Sequence, residues 1–306
     1  MPPNTDGATK LDNWMGSFVG LAIGDQLGCL TENKSYGTFE RVRDIDNGSF
    51  WTDDTSQALC IADSLISTRE FDLVDQLERY SRWLFEGYLS CKEWAYGCGP
   101  TARLAITGYK SSGTPKPVTD QETNGALMRL APVPLFYSHD LKKAVQKSGE
   151  SARSTHDNAV CIDACRLYGS MIVKAMQGHS KDILLSYDSD LWSNDPLSAS
   201  IDEVAKGSYK DKEPPKIKGT LNMTESIEAA LWSFDRSSSF GEGALKAVNL
   251  GDDADTTAAI FGQLAGAYYG YKGIPDSWKS KLIDRGLIEY IANKLYDTHN
   301  SQRIYN

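Results

Sequence analysis

Apolar residues at Leu11, Trp14, Met15, Phe18 and Ala22 recur at intervals of three and four, the spacing of one helix face, and predict an amphipathic helix near the start of the chain. Glycines at positions 16, 20 and 24 lie on that helix, so another helix can approach it closely, at a cost in intrinsic helix propensity. Near the end of the chain Ala258, Gly262, Gly266 and Gly270 repeat the design on a helix that follows an Asp-rich turn. Both helices are expected to pack against neighbours in the interior. Between them, Ala58, Ile61, Ala62 and Leu65 place a helix over 56–67, and 74–85 runs without Pro or Gly. Segments 159–176 and 226–234 also read as helical, while no stretch shows sustained strand alternation and no repeat period emerges. The expectation is an all-α fold in a single domain over 1–306. Residues 1–10 are expected to be flexible, and 206–219 to form a surface loop around Pro214 and Pro215.

Charge narrows the function. With 41 acidic against 32 basic residues and a net charge of -9, the chain lacks the cationic surplus needed to bind nucleic-acid backbone. A divalent cation suits it better. Apolar runs such as 18–23 are far short of the ~20 residues that span a bilayer, so no membrane association is expected. The start, Met1-Pro2-Pro3-Asn4-Thr5-Asp6, has neither the basic head nor the apolar core of a secretion signal, which predicts an intracellular protein, cytoplasmic or nuclear. The six cysteines, at 29, 60, 91, 98, 161 and 165, include no Cys-x-x-Cys pair and are joined by only four histidines, which argues against zinc. They are expected to be reduced, and Cys161 and Cys165 to be small buried thiols sharing one helix face.

Two segments concentrate the candidate chemistry: Trp51-Thr52-Asp53-Asp54-Thr55 and Gly251-Asp252-Asp253-Ala254-Asp255-Thr256-Thr257, each at the start of a helix. Helix capping would account for either one alone, since Asp and Thr accept backbone N–H bonds there and complement the helix dipole. It does not account for both together, because a cap needs one side chain and five carboxylates would be left to repel one another. Mg²⁺ or Mn²⁺ binds such oxygen clusters and neutralises them, so a two-metal site joining segments roughly 200 residues apart is the expectation. Other segments are individually weak signals. Glu32 follows the glycine-rich stretch 20–28, Asn124-Gly125 is a turn, and His156 precedes a helix.

Together the segments 20–28, 51–55, 124–132, 155–156 and 249–270 resemble, in order and character, the ADP-ribosylglycohydrolase family, whose best-known branch reactivates dinitrogenase reductase. The resemblance spans almost the whole chain. It implies a compact helical fold with a cleft holding two Mg²⁺ or Mn²⁺ ions. By position, Thr52, Asp53 and Asp54 would bind the first ion and Asp253, Asp255 and Thr256 the second, with Asp255 bridging. Glu32 corresponds to an acidic residue that gates the cleft. Asn124, Gly125 and Ala126 correspond to the loop that meets the diphosphate, and His156 to a residue beside the adenosine ribose. Gly97, Cys98 and Gly99 form a glycine-rich loop at the acceptor end. The implied catalytic set is Glu32, Asp53, Asp54 and Asp255, acting on the anomeric bond of a ribose whose hydroxyls the ions hold.

Three departures from the family pattern stand out. Asp252 replaces a usual glycine, Gly97 stands where the arginine-directed branch carries an Asp, and Leu221-Asn222 replaces a common Gly-Tyr pair. The implied partner is an ADP-ribosylated protein, with arginine or serine as acceptor, and the protein is expected to be a monomer. Hydrolysis of small conjugates such as O-acetyl-ADP-ribose is the alternative, and a silent ADP-ribose-binding protein the reading of a different class.

Overall fold

The two glycine rows face each other. In the computed structural model, which describes residues 7–302, the first helix, α1 (Gly7–Gly28), lies along α13 (Ala254–Tyr269) as its principal neighbour. Between these two run α2 (Asp53–Thr68), α3 (Leu73–Glu86), α4 (Pro100–Ser112), α5 (Pro132–Phe136), α6 (Leu141–Ala152) and α7 (Ala159–Met176). The short α8 (Lys181–Leu184), α9 (Ser189–Trp192) and α10 (Ala199–Ala205) follow, and then α11 (Met223–Asp235) and α12 (Phe240–Val248). The chain closes with α14 (Asp276–Lys281) and α15 (Arg285–Gln302). No strand is present among the described residues, only the isolated bridges Val118 with His156 and Thr123 with Asn222.

The α1–α13 pair is antiparallel and in backbone contact. A methyl group added at Gly16 would collide with the main chain at Gly266 and Gly270, one at Gly20 with Gly262, and one at Gly24 with Ala258. At the last step Gly28 sits on the Cα of Asp255, so the row of small residues delivers the end of α1 to the first turn of α13. Close approach of this kind needs residues without side chains at the contact. Around the pair, α7, α11 and α12 cover α13, and α2 and α15 cover α1. Trp14 Nε1 donates to the Ala292 carbonyl at 3.0 Å and pins α15 in place. The core is one continuous apolar cluster in which Trp51, Trp83, Tyr168 and Phe234 are essentially inaccessible.

Of the segment expected to be flexible, residues 1–6 lie outside the described residues, while 7–10 form the first turn of α1. The stretch between α10 and α11 contains no helix and holds a cis peptide between Pro214 and Pro215. No described helix is long and apolar enough to cross a membrane.

Candidate active site

At several other helix starts a polar residue does what capping predicts. Asp72 accepts from Val74 and Asp75, Asp140 from Lys143, Asn158 from Val160, and Ser239 from Glu242. The two Asp-rich starts differ: neither Thr52 before α2 nor Asp253 before α13 makes a side-chain cap bond. Their oxygens point elsewhere.

They converge. Asp25, Asp54 and Asp255 each bring a carboxylate oxygen within 4.8 Å of the others, and all three are buried. Asp25, on the last turns of α1, is fully used by the protein. Its Oδ1 accepts from Thr52 N at 2.9 Å and Thr52 Oγ1 at 3.0 Å, and its Oδ2 accepts from Thr55 N at 3.0 Å and Thr55 Oγ1 at 2.6 Å. Its lone pairs are spent on positioning the start of α2, which makes it an anchor for the site and leaves little capacity for direct ligation. Asp54 is the reverse case. Its Oδ2 lies 3.1 Å from Thr52 Oγ1, whose single proton it shares with Asp25, and its Oδ1 is buried without a partner. A buried carboxylate oxygen without a donor is costly, and a divalent cation is the partner that this all-oxygen surrounding fits.

Burial sets the electrostatics. Removal from water pushes Asp25 up to about 7 and Asp53 and Asp253 up to about 6. Asp54 and Asp255 are held well above the usual carboxylate range by burial and then by the neighbouring carboxylates. Protons are therefore held where cations would bind.

Above these carboxylates opens a cleft of about 1190 Å³, lined by Glu32, Thr52, Asp53, Asp253, Asp255 and Thr256 on the acidic side. Gly97, Cys98 and Gly99 form a wall beside Asp53, with Gly99 N donating to Asp53 Oδ2 at 3.3 Å. Gly97 has φ of 75°, and a Cβ there would stand 2.5 Å from Asp53 Oδ1, so the loop passes directly over that carboxylate and has no room for a side chain. Asn124 and Gly125, in a single turn of 3₁₀ helix, form another wall; the Asn124 amide donates to Asp253 Oδ2 and, at 2.8 Å, to Ser226 Oγ. Ala126 is buried beneath them.

His156 lines the cleft with both ring nitrogens engaged, Nε2 with Thr123 Oγ1 at 2.8 Å and Nδ1 with Thr155 Oγ1 at 2.7 Å. Burial and then the charge of Arg129 push it down to about 3, so the ring is neutral. Arg129 itself is fully buried and joins the two sides of the site. It donates to Gln57 Oε1, whose amide donates to Asp53 Oδ2 at 3.3 Å, and also to Thr155 Oγ1 at 2.5 Å.

The fold thus gathers the predicted residues at one place, with Asp54 behind the cleft surface and the others on it or directly under it. Sequence reasoning missed Asp25, Gln57 and Arg129. Asp25 was visible as an acid inside a glycine-rich apolar helix, a buried charge that demands partners. Gln57 and Arg129 gave no signal beyond polar residues among apolar ones. The departures also find causes. Asp252 has φ of 54°, the left-handed region in which glycine is easiest and Asp is tolerated. Its N–H donates to the Lys34 carbonyl and its own carbonyl accepts from Asn33 N, both at 2.7 Å, which ties the Glu32 loop to the α13 turn. Asn222 caps α11, and the Leu221 carbonyl receives Asn124 N at 3.1 Å.

The ADP-ribosylglycohydrolase family model matches residues 6–304. An ADP-ribosylarginine hydrolase of Serratia proteamaculans is 32% identical over 296 residues, covering 94% of this chain and 80% of its own. The ADP-ribosyl-dinitrogen reductase glycohydrolase of Rhodospirillum rubrum is 29% identical, covering 90% of this chain and 92% of its own. A solved structure described as an ADP-ribosylglycohydrolase-related protein complex superposes with a TM-score of 0.84 at 37% identity, covering 95% of this chain and 99% of that one. A match of this extent, over a cleft floored by the same segments that first suggested it, means that the chain belongs to the ADP-ribosylglycohydrolase family.

Proposed function

We propose that this protein hydrolyses the bond between ADP-ribose and a modified protein side chain, with arginine as the acceptor. The observation that carries this reading is the orphaned Oδ1 of Asp54 in a buried cluster of carboxylates beneath a cleft of about 1190 Å³. The choice of arginine is supported by relatives named for ADP-ribosylarginine at 32% and 33% identity.

Thr52, Asp53 and Asp54 would hold one Mg²⁺ or Mn²⁺, and Asp253, Asp255 and Thr256 a second. When bound, such ions neutralise the carboxylates, position the ribose hydroxyls and ease loss of a proton from water. The chain's own groups do the remainder. Asn124 and Gly125 offer a wall for the diphosphate. His156, neutral and held at both nitrogens, lines the cleft without shuttling protons. Glu32, half-buried at the cleft edge with its Oε1 accepting from Asn33 Nδ2 at 3.1 Å, is placed to exchange a proton with water or leaving group. Asp25 and the Arg129–Gln57 pair keep the ligands oriented.

The test is incubation with Mg²⁺ and arginine-linked and serine-linked ADP-ribosyl peptides, alongside free O-acetyl-ADP-ribose. The expected result is release from the arginine conjugate, abolished by EDTA. Release from the serine peptide or the free conjugate alone would overturn the acceptor assignment. Tight ADP-ribose binding without release from any would make the protein a silent binder.

A further inference from the structure

Beside the cleft lies a smaller cavity of about 240 Å³ with the opposite electrical character. The cleft is bordered by Glu32, Asp53, Asp252, Asp253 and Asp255; the smaller cavity is lined by Arg41 and Lys246 and by no acidic residue. Tyr36 lines both, so the two adjoin at that residue. Arg41 is exposed and forms no ion pair among the described residues, and Lys246 has only Glu242 at 3.7 Å. The remaining walls are largely apolar, chiefly Phe39, Pro214 and the buried Trp232.

The cavity is built rather than incidental. Asn249 clamps the chain beside Arg41, its Oδ1 accepting Val42 N at 2.8 Å and its Nδ2 donating to the Val42 carbonyl at 3.0 Å. The Phe39 ring packs on Gly251, where a Cβ would come within 2.8 Å of it. That glycine immediately precedes the Asp252-Asp253 turn of the site, so the cavity and the acidic floor share one backbone segment.

Resting on the hydrolase reading above, we infer that this cavity is a subsite for an acidic side chain of the substrate polypeptide, close in sequence to the modified residue. Two cations over aromatic walls select a carboxylate. At about 240 Å³ the space falls below the roughly 300–1,000 Å³ of sites that enclose a whole small molecule, so it suits a side chain and excludes a second nucleotide. The covalent attachment supplies the proximity. Tyr36 belongs to the loop that carries Glu32, whose charge is felt by Asp53, Asp253 and Asp255. In this proposal the ribose sits over those carboxylates, and the polypeptide on its anomeric carbon leaves beside that loop. A carboxylate seated next door then holds the chain without entering the acidic cleft.

The experiment compares kcat/KM on arginine-ADP-ribosylated peptides that differ only in carrying Glu or Lys on either side of the modified residue. Free ADP-ribosyl-arginine reports on the cleft alone. The net charge of -9 by itself favours the Lys peptides, so a preference for Glu isolates the cavity. The expected preference is about tenfold for Glu, the scale of one charge-assisted hydrogen bond. It disappears in the Arg41→Ala, Lys246→Ala double variant and reverses in Arg41→Glu, with ADP-ribosyl-arginine turned over at the wild-type rate throughout. Equal turnover of Glu and Lys peptides by the wild type, or a preference that survives the double variant, overturns the subsite. Failure of the wild type to cleave ADP-ribosyl-arginine would instead strike the hydrolase reading.

Discussion

The side-chain amide of Asn124 donates to Oδ2 of Asp253, so the wall of the cleft and one carboxylate of its floor are a single hydrogen-bonded unit. Asn124→Ala removes that donor and leaves the oxygen of a half-buried carboxylate without it. Asp253 is proposed above as a metal ligand, and loss of an orienting partner beside such a ligand commonly costs 10–100-fold in affinity or activity. We expect a drop of that order in kcat/KM, with a stability loss of about 1–3 kcal/mol by urea unfolding. Unchanged kinetics would show that the contact does not orient Asp253.

Cation removal should make stability depend on pH in a defined direction. Folded, Asp53 and Asp253 stand at about 6 and Asp25 at about 7, against an ordinary value of 3.8. Raised values mean that the native state holds the extra protons, so stability present at low pH is lost as the pH rises through about 4 to 7. In EDTA, the melting temperature is expected to be higher near pH 5 than near pH 8. Mg²⁺ should raise it most at the alkaline end, where no protons offset the repulsion. In Asp54→Asn, thermal scans should show the Mg²⁺ increment collapse while the fold persists and turnover is lost.

His156 acts with the opposite sign. Its folded value is about 3 against an ordinary 6.5, so between these the unfolded chain takes up a proton that the native ring refuses. The stability it contributes is present above about 6.5 and is lost as the pH falls toward 3. His156→Gln should flatten this acid limb by up to about 1.4 kcal/mol per pH unit relative to wild type. Parallel urea titrations of the two proteins down the acid range check it.

Gly24→Ala tests the helix pair. The added methyl group meets the Ala258 backbone, which cannot swing aside as a side chain would. Overpacking a close-packed interior costs about 1–3 kcal/mol and occasionally more, and main-chain contact belongs at the upper end. Gly7→Ala, with nothing within 4 Å, is the control and should be near neutral. Equal midpoints for the two in urea would contradict the pairing.

Helical periodicity made much of this architecture readable in advance. The segment 159–176 coincides with α7 because Asn158 caps its start and apolar residues follow at helical spacing. Helix α2 begins earlier than its apolar pattern suggests, at Asp53, because the oxygen-rich residues themselves form the first turn. Both glycine rows were visible, but their mutual pairing was not, since four-residue spacing announces a close approach without naming the partner. The candidate site was legible where several oxygen-bearing side chains cluster within a few residues. It was illegible where single residues act at long range, as Asp25 does on Thr52 and Arg129 does through Gln57. The electropositive cavity was equally hidden, because Arg41 and Lys246 meet only after the loop preceding α2 has closed onto the end of α12.

The glycine seam between α1 and α13 also orders events during synthesis. Helix α1 leaves the ribosome well ahead of its partner, and at about 5–20 residues per second it waits many seconds for Ala254–Tyr269 to emerge. Until then its small-residue face has no backbone to lie against, and Asp25 has no Asp255 beside it. Nascent or truncated chains that stop before α13 therefore carry an exposed groove and lack Asp253, Asp255 and Thr256, a state in which chaperone capture is the expected fate.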